Sequence, residues 1–120
     1  MAEFHASHGA EGTMVVTQVS DPSKYGAVVY DPASGVMQKY VEKPQSFISN
    51  RINAGFYIFQ PSILDRIENR PTSLERDIIP CQVREGQMYC YQLKGMVLII
   101  SIFLFFILFF KTNGTHLIKV

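Results

Sequence analysis

Apolar and β-branched residues fall in short runs, separated by Gly, Pro, Asp and Ser, until residue 95, after which the polar positions nearly disappear. The run Gly12 to Val19 reads Gly, Thr, Met, Val, Val, Thr, Gln, Val, which predicts a central strand buried on at least one face. Ahead of it, Ala2 to His8 reads as the last turns of a helix stopped by Gly9. Asp21 and Pro22 predict a turn. Gly26 to Tyr30 and Val36 to Val41 then read as two short strands, joined through Asp31, Pro32, Ala33, Ser34 and Gly35, the residue types of a hairpin loop.

Asn53 to Phe59 predicts another strand, and Pro61 suits the first turn of a helix whose apolar face uses Ile63, Leu64 and Ile67. Thr72 with Glu75 forms a capping-box pattern for a second helix carrying Leu74, Ile78, Ile79 and Val83, kinked by Pro80 and closed by Gly86. Gln87 to Leu93 reads as a last strand. Strands alternating with helices argue for an α/β layer architecture over residues 1–95.

The apolar tail changes the picture of composition. The chain is 48% hydrophobic, but Met96 to Phe110 is apolar at every position except Ser101, bracketed by Lys94 and Lys111. As a helix this run reaches about 22 Å, short of the roughly 30 Å hydrocarbon core of a bilayer. It is a marginal membrane segment, followed by a short polar tail at residues 111–120. A net charge of +1 with interspersed signs presents no basic face to nucleic acid. Cys81 and Cys90 lack the spacing of a zinc or redox motif and read as reduced thiols of a cytosolic fold. His5 and His8 read as the exposed end of a helix with no third metal ligand nearby. Met1 to Gly12 holds no signal-peptide pattern. The expected location is therefore cytoplasmic, with membrane association through Met96 to Phe110 as the alternative.

The chemistry concentrates at Val41, Glu42, Lys43 and Pro44, where a β-prone run ends in an acid, a base and a proline. A carboxylate accepts hydrogen bonds from neighbouring sugar hydroxyls, an ammonium meets a phosphate as a point charge, and a proline stops the strand so that both sit at its mouth. That pairing suits a sugar phosphate. Four such residues alone are a weak signal, since Glu beside Lys at a strand end is usually a solvated pair of little energetic consequence; their neighbours decide. The motifs Asp21-Pro22-Ser23-Lys24-Tyr25-Gly26, Val41-Glu42-Lys43-Pro44, Ile52-Asn53-Ala54-Gly55, Pro71-Thr72-Ser73-Leu74-Glu75 and Glu85-Gly86-Gln87 resemble, in order and spacing, the middle part of the sugar nucleotidyltransferases. The resemblance runs from Phe4 to Gly95 and is closest to the mannose-1-phosphate guanylyltransferase (GDP-mannose pyrophosphorylase) branch.

The resemblance implies a partial Rossmann-like, mostly parallel sheet with flanking helices. It also implies a reaction in which mannose 1-phosphate attacks the α-phosphorus of GTP with release of pyrophosphate. Glu42 matches the family's sugar-binding carboxylate and Lys43 its clamp on the sugar phosphate. Tyr25 and Gly26 match a loop whose backbone lies against the sugar, with a plain turn glycine as the alternative. Asn53 and Gly55 match the segment lining the sugar pocket. Asn53 reads equally as a strand-opening residue bonded to local backbone. Lys24 is expected to be a solvated loop lysine, and Tyr40, Phe56 and Tyr57 core or pocket wall.

Family members carry a glycine-rich loop that cradles the nucleotide phosphates, and two aspartates that hold Mg2+. Neither the loop nor the metal aspartates are found in these 120 residues. The expectation is the sugar phosphate half of a guanylyltransferase site, inactive by itself. A non-catalytic decoy or regulatory partner of a full-length homologous subunit is the alternative. The resemblance stops after Gly95, which leaves the tail as an anchor, a buried core element, or the mark of a truncated or spliced product or a mistaken gene model.

Overall fold

The computed structural model describes residues 1–93; the expected tail segment Met96 to Phe110 and the residues after it lie outside the described part. Helix α1 (Ala2–His8) ends at Gly9 in the left-handed region (φ 67). Strands β1 (Gly12–Gln18), β2 (Ala27–Tyr30), β3 (Met37–Val41), β4 (Arg51–Phe59) and β5 (Met88–Gln92) form one sheet in the order β3-β2-β4-β1-β5. A 3-10 turn (Pro22–Lys24) follows β1, a 3-10 helix (Pro61–Arg66) follows β4, and a π turn (Leu74–Ile78) leads into helix α2 (Ile79–Arg84).

As expected, β1 is an interior strand, buried from Gly12 to Thr17 between β4 and β5. The expected parallel character is confined to β1 with β5. The pairs β1–β4, β2–β3 and β2–β4 are antiparallel. The reason is local: the short connection from Tyr30 to Met37 closes a hairpin, and a hairpin can only be antiparallel. Mixed sheet and flanking helices together make an α/β fold.

The β2–β3 hairpin is fastened at both ends, which is what positions the site. At its base β2 meets β4 at Ala27 and Ile52, and the Asn53 amide donates to the Gly26 carbonyl at 2.9 Å. At its tip the Cys90 amide of β5 donates to the Gly35 carbonyl at 2.7 Å. Met14 and Val16 of β1 pack with Val28, Met37, Ile79 and Met88 in the core beneath it.

Two expected helices take other forms. After Pro61 the chain makes a 3-10 helix, in which residues three apart share a side. Ile63 therefore turns inward, while Leu64 and Ile67 face solvent at 60% and 38% exposure rather than completing an apolar face. Arg66, on the Ile63 side, reaches Glu11 at 2.5 Å, and Glu11 also accepts from Ser62 and Gln82 at 3.0 and 2.6 Å. These hydrogen bonds outweigh the burial that would raise the Glu11 carboxyl, and hold it below the usual range. The second helix is divided where Pro80 has no N–H to give: its first part is the wider π turn, and α2 starts afresh with Pro80 in its first turn. Its cap is Ser73, whose hydroxyl accepts from the Arg76 amide at 3.3 Å and whose amide donates to Asp77 at 2.7 Å. The expected Thr72–Glu75 box does not form; Thr72 donates to the Arg70 carbonyl instead.

His5 and His8 also depart from expectation. His5 is buried, and both rings bond the buried Thr13 hydroxyl at 2.7 Å. The Ala10 amide donates to His8 Nδ1 at 2.9 Å, so His8 donates from Nε2 to Thr13, and Thr13 donates on to His5 Nδ1. His8 is stacked on Tyr89 with ring centroids 4.1 Å apart. Burial lowers the affinity of both imidazoles for a proton below the ordinary pKa of 6.5, and His5 lowers that of His8 further. Above that value both rings are neutral in folded and unfolded chains alike. Below it the unfolded chain takes up protons that the folded one does not, so stability falls with falling pH. Glu11 keeps its charge over this window. The urea midpoint is expected to drop between about pH 7.5 and 5.5; a flat or rising midpoint contradicts the assignment.

Candidate functional site

At the base of the hairpin, β3 ends and β2 begins side by side. Tyr25 and Gly26 lead into β2, Glu42 and Lys43 leave β3, and the Lys43 amide donates to the Tyr25 carbonyl at 3.2 Å. Lys43 has φ 46, the one non-glycine residue in the left-handed region among the described residues. The turn that Pro44 was expected to provide is thus already made at Lys43, which is exposed, and a side chain held in that conformation carries strain typical of functional positions.

Asn53 and Gly55 mark an irregularity in β4. Between the pairs Met14–Tyr57 and Val16–Asn53, one residue of β1 faces three of β4. This bulge runs through Gly55 at φ 82, which explains the glycine without any close approach: a Cβ there meets nothing within 4 Å. Asn53 Oδ1 accepts from the Gly55 amide at 2.8 Å and braces the bulge. Its Nδ2 donates to Tyr57 Oη and, at 3.5 Å, to Tyr40 Oη. The amide is therefore committed within the protein, and of its two expected capacities only one oxygen lone pair remains for a ligand.

Gly26 is explained by close approach. A Cβ there would lie 2.1 Å from Tyr40 Oη, so its missing side chain makes room for a phenol; any approach to a sugar comes second. Tyr40 donates to Glu42 Oε2 at 2.6 Å, and Tyr57 donates to Glu75 Oε1 at 3.3 Å. The result is a chain of polar groups, Glu42–Tyr40–Asn53–Tyr57–Glu75. Burial, followed by the hydrogen bond to Glu42, pushes the Tyr40 phenol up against a lowering contribution from Asn53. Burial likewise raises Tyr57, with Asn53 opposing and both Glu75 and Glu42 adding to the rise. Both phenols stay protonated and act as donors, not bases.

All six expected residues thus lie at the hairpin base or on the adjoining stretch of β4. Tyr40 and Tyr57, expected as core or pocket wall, and Glu75, expected as a cap, belong to the same network. Tyr40 and Glu42 could have been paired from their spacing of two at the end of β3, Glu42 being the first residue after it; no spacing links Tyr57 with Glu75. Lys24 is exposed as expected. An open depression of about 610 Å³, lined by Gln18, Val19, Ser20, Phe47 and Asn50, includes none of these groups. For Mg2+ the donor set does not fit: among the described residues no three acidic, histidine or cysteine side chains gather as a metal site.

The mixed sheet with its flanking helices is similar to a nucleotidyltransferase fold. The chain belongs to the nucleotidyl transferase family, whose model matches residues 1–97. It is 58% identical over 95 residues to mannose-1-phosphate guanyltransferase beta-A of Xenopus laevis, covering 79% of this chain and 26% of that protein. Mannose-1-phosphate guanylyltransferase catalytic subunit beta of Danio rerio is 57% identical over the same shares. Mannose-1-phosphate guanyltransferase of Schizosaccharomyces pombe is 54% identical over 96 residues, again 79% and 26%. The chain spans about a quarter of the length of these relatives, 26% in each case. Its fold matches a Bacillus anthracis structure described as a glucose-1-phosphate thymidylyltransferase, with TM-score 0.65 and 17% identity over 77% of this chain and 39% of that one.

Proposed function

We propose that residues 1–93 are the sugar phosphate half of a mannose-1-phosphate guanylyltransferase site. The observation that carries this is the pairing of Glu42 and Lys43 at the fixed base of the hairpin, in a chain 58% identical to a mannose-1-phosphate guanyltransferase. Glu42 has one oxygen engaged by Tyr40 and its other unengaged among the described residues. That oxygen accepts a sugar hydroxyl. Lys43, exposed and turned out of the strand, meets the phosphate and offsets its charge.

In the proposed reaction a phosphate oxygen of mannose 1-phosphate forms a bond to the α-phosphorus of GTP. The α–β phosphoanhydride bond breaks, and its electron pair leaves with pyrophosphate. Such transfers rest on positioning and charge neutralisation, which is what Glu42 and Lys43 supply to the nucleophile. No acid or base is required of the tyrosines. Mg2+ in the family shares the neutralisation, but no residue here is assigned to it. The nucleotide part of the site is likewise not assigned to residues 1–93.

Titration of the 120-residue chain with mannose 1-phosphate, followed by calorimetry, tests the reading. Saturable binding with no pyrophosphate release on adding GTP and Mg2+ is the expected result. Absence of binding in folded protein contradicts the sugar phosphate assignment, and turnover contradicts the division into halves.

A further inference from the structure

We propose that Glu75 is a second sugar-hydroxyl acceptor of this site, and that it sets sugar specificity together with Glu42. The inference rests on the sugar phosphate reading above and deepens it. Three observations carry it. First, Asn53 has one amide hydrogen committed to Tyr57, the other at 3.5 Å from Tyr40, and one oxygen lone pair committed to Gly55, so it offers a polyol little beyond its remaining oxygen lone pair. Second, Glu75 has no part in capping the turn it stands in: Ser73 and Asp77 do that, and Ser73 Oγ only reaches Glu75 Oε2 at 3.5 Å, the limit of a hydrogen bond. Oε2 is therefore open to a better donor.

Third, Tyr57 holds Glu75 from one end of the bridge as Tyr40 holds Glu42 from the other, and the Asn53 amide joins the two phenols. Two carboxylates, each with one oxygen bonded by a tyrosine hydroxyl, then stand at the two ends of one bridge through Asn53. A carboxylate so fixed discriminates among sugars because a missing hydroxyl leaves an acceptor desolvated without a partner. Lys43 is not part of this bridge, so phosphate affinity and hydroxyl discrimination are separable.

The test is a set of titrations of the full chain with mannose 1-phosphate, its monodeoxy analogues and inorganic phosphate. Glu75→Gln keeps a carbonyl for the Tyr57 hydroxyl and loses the charge. It is expected to weaken mannose 1-phosphate by roughly 10- to 100-fold, the loss of one charged hydrogen bond, and to leave inorganic phosphate unchanged. One deoxy analogue is expected to bind this variant as well as the parent sugar phosphate does. Unchanged mannose 1-phosphate affinity, or equal losses for both ligands, overturns the proposal. Should Glu75→Gln fail to fold by amide NMR, Tyr57→Phe provides the same discrimination, and wild-type affinity in that variant overturns it as well. If the wild-type chain binds neither ligand, the sugar phosphate reading itself fails and this inference with it. If the wild type binds and Lys43→Gly does not, while Glu75→Gln binds normally, only the role of Glu75 fails.

Discussion

Lys43→Gly is expected to weaken mannose 1-phosphate binding by one to two orders of magnitude without destabilising the fold, the size of a lost charged hydrogen bond to phosphate being about 1.5–3 kcal/mol. Most substitutions that remove a binding residue leave open whether folding suffered. Here the backbone separates the two. Lys43 sits at φ 46, where a side chain costs about 1–2 kcal/mol and glycine nothing. Glycine also gives the unfolded chain more freedom, a cost of about 0.4–1 kcal/mol. The native state should therefore be as stable as wild type or up to about 1.6 kcal/mol more so, on these two terms. Lys43 is exposed, so packing adds little to the balance. Urea denaturation and a mannose 1-phosphate titration on the same sample check both halves. A clear loss of stability would mean that the lysine stem packs on the hairpin base, and unchanged affinity would remove the ammonium from the site.

The places where sequence and structure part company have a common physical origin. Elements defined by runs of one residue type were legible: β1 from its β-branched residues, the β2–β3 hairpin from its loop, α1 from its glycine stop. Pairing direction was not, because the expected mostly parallel sheet came from the resemblance and not from these residues, whose short Asp31 to Gly35 loop closes a hairpin. The 3-10 form of the segment after Pro61 was not legible because Ile63, Leu64 and Ile67 also fit a 3.6-residue period; the tighter turn sends the last two to solvent. At the site, Glu42 and Lys43 were legible as chemistry at a strand end. The Asn53–Gly55 bulge was half legible, since an Asn two residues before a Gly suits a side chain bonded to local backbone. Its consequence, that the amide is used up inside the protein, depends on Tyr40 and Tyr57 arriving from either side. The same holds for His5 and His8, whose partner Thr13 lies on another element. Polar networks across elements leave no periodic trace in a sequence.

Gly26 is the position where that network is most exposed to a single methyl group. Gly26→Ala is expected to cost about 1–3 kcal/mol of stability by overpacking alone, because the new Cβ would lie 2.1 Å from Tyr40 Oη and 2.6 Å from its Cζ. A flexible side chain could swing away cheaply; this one is held. Its hydroxyl donates to Glu42 and accepts from Asn53, and the ring packs against the core. Displacing it breaks the hydrogen bond to Glu42, adding about 0.5–1.5 kcal/mol or more for a charged acceptor, and leaves that carboxylate unpositioned. Stability and mannose 1-phosphate affinity should therefore fall together, the opposite of Lys43→Gly. A double-mutant cycle with Tyr40→Ala isolates the cause: with the ring gone, the alanine at position 26 has room, and its cost should shrink by most of the overpacking energy. Additive costs would show instead that Gly26 is required by the β2–β4 junction, through the Asn53 amide bonded to its carbonyl, and not by the tyrosine.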